Sequence, residues 1–390
     1  MSLLLRLSFV CFYALECLLP VLGTQDDLPV PSSHTQALRL MGIDTLHTRG
    51  VTGKGTLIVV IDQELNPTWL KPLMDKRVIH EAARLPGNPY MLTLQDLTYT
   101  DDHYDRYLRQ EGVSMTLLTN HKGRSRRLYA DALNSTNAYN KGTGILEAVN
   151  LSAPDALLFP VDIRLYIQSA AFDISAKPRP RSKFSSLFEM ILELQPPLVP
   201  FSDTSILMRE ECRGYASRLT NQGTMLLLPS GNGACNPAML RPLTLKGAFG
   251  HAPCQSEHIL LFQELLPKYI GFCGSVSMLK PLEAPQLSYF TQFPPPSMAP
   301  YFILAPGEEL AFHTVNSAGH LAEDTRLSAA FVAGALALLR EHCQEKGLHQ
   351  LTTDMLFSLL HQYGNSISTQ LDGNPEYKLI NVNNVCEKLG

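Results

Sequence analysis

A run of five apolar residues entered through glycines and left through a carboxylate is the first place in this 390-residue chain where chemistry could stand: VTGKGTLIVVID, ending in Asp62. A buried parallel strand reads as such an apolar run, and the carboxyl ends of parallel strands are where open α/β sheets build their sites. Asp62 alone does not decide the matter, since an aspartate at a strand end equally serves a turn or a helix cap. Other polar clusters are weaker. Asp101, Asp102 and His103 are consecutive, so their side chains do not converge on one ion, and a polar loop is the better reading. No two cysteines are spaced as in a zinc site, and no cofactor motif is present.

Asp62 needs a scaffold, and the rest of the chain supplies one. Short apolar runs at 56–62, 156–163, 197–201, 224–230, 269–277 and 301–306 predict strands. Segments with helical spacing lie at 185–195, 208–223, 328–347 and 352–364. The third of these is apolar almost all round at its start, so it should run through the core. This alternation predicts an α/β fold with a mostly parallel sheet covered by helices on both faces, formed by one domain over 34–390. Residues 177–183 (KPRPRSK) and the prolines at 294–296 are loops.

The front of the chain, MSLLLRLSFVCFYALECLLPVLG, reads as a signal peptide over 1–23 cut after Gly23, followed by a short segment over 24–33. Glu16 and Pro20 shorten the apolar run below the roughly 20 residues of a membrane span. The expectation is a protein that is secreted or held in the lumen of the secretory pathway, with no membrane span after signal removal. There the cysteines outside the signal, Cys212, Cys235, Cys254, Cys273, Cys343 and Cys386, have the means to pair as disulfides, in an order that spacing does not fix. Asn134 and Asn150 open glycosylation sequons, expected on surface loops. Arg124-Ser125-Arg126-Arg127 offers a basic cleavage run, although a solvated loop explains it as well. A formal net charge of -4 gives no footprint for nucleic acid or an anionic membrane.

Four stretches in fixed order resemble the sequence blocks of the subtilisin-like serine proteases. TGKGTLIVVID is similar to the block of the catalytic aspartate, which maps to Asp62, and PSGNG at 229–233 to the block of the oxyanion asparagine, which maps to Asn232. SYFTQFPPPSMAPYFILAPGEEL and TRLSAAFVAGALALL resemble the segment before the catalytic serine and the helix that follows it. The resemblance implies a subtilisin-like three-layer fold. It also maps the histidine position onto Lys141 and the nucleophile position onto Arg326. Acyl transfer needs a hydroxyl and an imidazole that takes and returns its proton; Arg326 supplies neither, since a guanidinium stays protonated, and Lys141 could serve as a base only if desolvation or positive neighbours lowered its pKa strongly. Ser328 lies two positions along the helix, turned by about 200° from Arg326, and reads as a packing residue. His121 is the one shifted candidate for the histidine, in a strongly basic context unlike a helix start.

From the resemblance follow a catalytically inactive homologue that binds a protein or peptide, and two alternatives: an endopeptidase with an unorthodox site, and a structural component of the secretory pathway. The family's long propeptide has no counterpart in residues 24–33, as expected of a protein that cuts nothing. The strand that would pair with an extended peptide falls at Leu198 to Thr204, where Pro200 removes a backbone donor. Two cations beside a retained carboxylate predict that Asp62 pairs with Lys141, Arg326 or both.

Overall fold

The computed structural model describes residues 32–62, 141–162, 183–202, 207, 210–232, 269–277, 285–288, 290–294, 296–314, 317–367 and 376–390. From Ser33 to Gly390 the chain forms one compact unit. His121, Asn134, the cluster at 101–103, the basic run at 124–127 and the signal segment lie outside the described residues, as do Cys235 and Cys254.

Two short helices, α1 (Ser32–Leu40) and α2 (Ile43–Thr48), precede the first strand, β1 (Leu57–Asp62). There follow α3 (Lys141–Ser152), β2 (Leu157–Asp162), α4 (Lys183–Leu194), β3 (Leu198–Pro200), α5 (Glu210–Asn221), β4 (Met225–Pro229) and β5 (Ile270–Ser277). After β6 (Gln286–Leu287) and a 3-10 turn come β7 (Phe302–Pro306), the hairpin β8 (Leu310–Thr314) and β9 (Ser317–Ala322), and the long helix α6 (Thr325–Glu345). The chain closes with α7 (Thr353–Tyr363), β10 (Asn365–Ile367), β11 (Tyr377–Leu379) and α8 (Val382–Leu389).

The main sheet has the order β10-β11-β7-β5-β4-β3-β1-β2, with β6 attached to β5. Every pair from β11 to β2 is parallel, while β10 and β6 run antiparallel at the margins. Helices cover both faces, so the inner strands are apolar on both sides and their residues are buried without alternation. β1 lies between β2 and β3 in this order, and its register sets Asp62 beside Asp162 at the carboxyl edge.

α6 is the axis of the molecule. Its residues from Leu327 to Leu339 are buried on every side, and it packs against β3, β4, β5, β7, α3, α7 and α8. Leu, Ala, Phe and Val fill this stretch, so it gains nothing from a polar face and must be enclosed. Close approach of α3 requires Gly334: a Cβ there would lie 1.8 Å from Ser152 Oγ. That hydroxyl is turned back onto its own helix, donating to the Ala148 and Val149 carbonyls at 2.7 and 3.0 Å.

Two expectations change. Among the described residues there is no disulfide: Cys212, Cys273, Cys343 and Cys386 are buried thiols. They sit on different elements of the apolar core and pack there as small hydrophobes; burial pushes the Cys386 thiol up to about 12, far from the thiolate that exchange requires. Asn150 is not in a surface loop. It stands in the last turn of α3, and the hydroxyl-bearing residue of its sequon, Ser152, is fully buried.

Candidate functional site

β1 and α6 bring the site together. Asp62 ends β1 and is fully buried; Arg326 stands in the first turn of α6. Its Nη1 approaches Asp62 Oδ1 at 3.4 Å, so the expected pairing of Asp62 with Arg326 is present. Lys141 is the first residue of α3, with its side chain outside the described residues. Arg326 Nε and Nη2 both donate to Asp324 Oδ2, the former at 2.8 Å, so one guanidinium lies between two carboxylates.

Asp324 holds the arrangement from a second direction. It is the N-cap of α6, in extended conformation, and its Oδ1 accepts the Arg326 backbone N–H at 2.9 Å. An aspartate here satisfies a donor that the first helical turn leaves open and places negative charge at the positive end of the helix. The same Oδ1 accepts the Asn232 side-chain N–H at 2.9 Å. Asn232 Oδ1 in turn accepts from the Thr325 backbone N–H and hydroxyl, both at 2.9 Å. Gly231 N–H donates to that hydroxyl at 3.2 Å. Asn232 is thus tied by both ends of its amide to the start of α6.

Sequence reasoning reached Asp62, Asn232 and Arg326 but gave Asp324 no role. The signal was present: an aspartate directly before an apolar-periodic run is an N-cap pattern. What no local pattern conveys is that this carboxylate would take the Asn232 amide, which stands 92 residues away in the chain.

Ser328 is fully buried, and its hydroxyl donates to the Ala305 and Pro306 carbonyls at 3.1 and 3.3 Å. The hydroxyl is therefore spent on the end of β7. Pro200 ends β3, and Ser202 beyond it bonds back to β1, its backbone N–H donating to the Ile61 carbonyl at 3.1 Å.

Burial pushes the Asp324 carboxyl up, but the Arg326 guanidinium, the Asn232 amide and the Arg326 backbone N–H outweigh it and hold the group below its ordinary value. A carboxyl depressed in the fold stabilises the fold above the unfolded value and loses that contribution as pH falls through the folded one. Stability of the wild-type chain should accordingly decline below about pH 4, and Asp324→Asn should flatten that decline. Urea midpoints measured from neutral pH downward give the result; an identical acid slope in both proteins would refute the assignment.

No family model matches the chain, and no curated protein matches it in sequence. Solved structures do. The chain is similar to the prenylagaramide maturation protease PagA, with 12% identity, 90% of this chain and 99% of that chain covered, and a TM-score of 0.52. It is similar to the PatG macrocyclase in complex with peptide at 14% identity, 95% and 99% coverage and a TM-score of 0.53. For the patellamide maturation protease PatG the figures are 14%, 91%, 98% and 0.53. Identities this low carry the architecture and not the chemistry. With its mostly parallel sheet, its enclosed long helix and these neighbours, the chain has the subtilisin-like protease fold.

Proposed function

We propose that the chain is a secreted, non-catalytic protein of subtilisin-like fold that acts by binding a protein or peptide. One observation carries the reading: the position that aligns with the nucleophile is a guanidinium clasped by two carboxylates. Beside it the Asn232 amide and the Arg326 backbone N–H both end on Asp324 Oδ1. In an acyl-transfer site such donors face the place where the oxyanion develops, and there they stabilise the transition state. Here an internal carboxylate takes them. A guanidinium neither attacks a carbonyl nor shuttles a proton, so the groups support recognition and not turnover.

Secretion rests on residues 1–23, whose apolar stretch behind Arg6 is what a signal peptidase substrate needs. N-terminal sequencing of protein recovered from a secreting cell should begin at Thr24.

Fluorophosphonate labelling beside an active subtilisin-like protease tests the absence of catalysis. The expected result is no labelling of the folded protein. Labelling that disappears in Ser328→Ala would show an activated serine, overturn the reading and favour an endopeptidase with an unorthodox site.

A further inference from the structure

We infer that Glu308, Glu309 and Glu323, gathered beside the N-terminus of α6, form a subsite for a cationic side chain, an arginine guanidinium or a lysine ammonium, of the bound protein segment. The inference rests on the binding function proposed above and names the chemistry of the partner.

Two chain segments meet at this place. Glu308 and Glu309 follow Gly307 in the turn from β7 to β8, and Glu323 immediately precedes Asp324. The Asp324 backbone N–H donates to the Gly307 carbonyl at 2.8 Å and fastens the two segments to each other. Gly307 is closely packed besides: a Cβ there would meet Ser328 Oγ at 2.5 Å and Ser275 Oγ at 2.6 Å. The carboxylates are therefore held on a rigid base, as a recognition site requires.

Like charges are brought together here. Burial pushes the Glu308 carboxyl up, hydrogen bonds from Ser288 and Ser277 oppose this, and the charges of Glu323 and Glu309 push it further up. Burial and Glu323 also push Glu309 up. The independent sign of a missing ligand is Glu308 itself: it is only 4% exposed, and its Oε2 has no hydrogen-bond partner. A buried carboxylate oxygen without a donor is costly, and an incoming N–H group relieves both the orphaned acceptor and the repulsion.

Arg326 is engaged by Asp62 and Asp324. The carboxylates differ in burial, Glu323 exposed, Glu309 half-buried and Glu308 buried, so an incoming side chain would meet Glu323 first. Among the described residues no acidic cluster closes on a metal ion. A guanidinium spreads five donors over a plane and can serve carboxylates that one ion cannot bridge.

Fluorescence anisotropy with labelled hexa-arginine and its neutral analogue hexa-citrulline tests the subsite. Wild-type protein should bind hexa-arginine and not hexa-citrulline. Glu308→Gln/Glu323→Gln should weaken binding by about tenfold or more, whereas Glu345→Gln/Glu387→Gln, an equal charge change at exposed positions elsewhere, should weaken it by less than about threefold. Glu323→Gln alone, at an exposed position, preserves the test if the Glu308 variant fails to fold, and should still weaken binding by about threefold. No binding by wild-type protein, or equal loss in the two charge-matched variants, would overturn the inference. Mass spectrometry of the recovered peptide separates the two claims: cleavage products would overturn the non-catalytic reading, while the affinities would still decide the subsite.

Discussion

Arg326→Met should lower the unfolding free energy by about 3–5 kcal/mol, because it strips the cation from two carboxylates that have almost no access to water. Asp62 is 0% exposed and Asp324 5%, and the guanidinium reaches both. Methionine keeps much of the arginine's length and flexibility, so lost packing is a minor part of the effect. What dominates is the solvation of charge: an ionised carboxylate in the interior that loses its cation keeps the cost of its desolvation without the charge that offset it. This does not make the cluster a source of net stability. Buried ion groups replaced as a set by neutral residues are often no less stable than the original. Asp62→Asn/Asp324→Asn/Arg326→Met should therefore recover most of the loss, and it retains an asparagine at the N-cap of α6, where asparagine serves about as well as aspartate. Urea unfolding of wild type, single variant and triple variant decides. A single variant as stable as wild type would mean that the carboxylates are solvated or protonated; a triple variant no better than the single would trace the loss to packing.

How far the sequence revealed this arrangement depended on the range of the interaction. The strands at 57–62, 157–162, 225–229, 270–277 and 302–306 were legible because central parallel strands are apolar on both faces and stand out as runs. α6 was legible for the same reason, as a helix with no polar face over most of its buried length. The closing β10 and β11 were not. Each has three residues; β10 exposes two of its three, and the stretch between them holds the turn formers Asp372, Gly373, Asn374 and Pro375, so it reads as loop. The short α1, α2 and α8 passed unnoticed too, since amphipathic segments of nine, six and eight residues are hard to tell from turns. In the site, the ion pair between Asp62 and Arg326 could be anticipated, because charge types at aligned positions were enough. The diversion of Asn232 could not, because it depends on where β4 ends relative to the cap of α6.

The same helix grips β1 at its other end, and that grip was invisible in the sequence. Glu341 follows Arg326 by fifteen residues on α6, roughly 22 Å along the axis. Its Oε2 accepts backbone N–H groups from Thr52 at 2.6 Å, Gly53 at 2.6 Å and Lys54 at 3.1 Å. Three successive amides turned toward one point form a nest for an anion, here filled by a carboxylate from within the chain. The turn has its shape because Gly53 has a φ of 87°, and a Cβ at that residue would lie 2.7 Å from Ala153 Cβ. α6 thus fixes the entry to β1 through Glu341 and its exit through Arg326, which holds Asp62 in place.

Glu341→Ala should cost about 3 kcal/mol, since hydrogen bonds to a charged group contribute roughly 1.5–3 kcal/mol each, and three on one oxygen are far from additive. Glu341→Gln keeps a carbonyl oxygen for the same amides and loses only the charge, so it should cost less than half as much. Hydrogen exchange supplies a local readout. In the alanine variant the amides of Thr52, Gly53 and Lys54 should exchange much faster, while those of β4, at the centre of the sheet, follow the global stability. Equal losses in the alanine and glutamine variants would place the effect in packing around α6; unchanged stability in the alanine variant would mean that water or another acceptor replaces the carboxylate. The expected ordering, with glutamine between wild type and alanine, would leave the carboxylate as the group that sets the approach to β1.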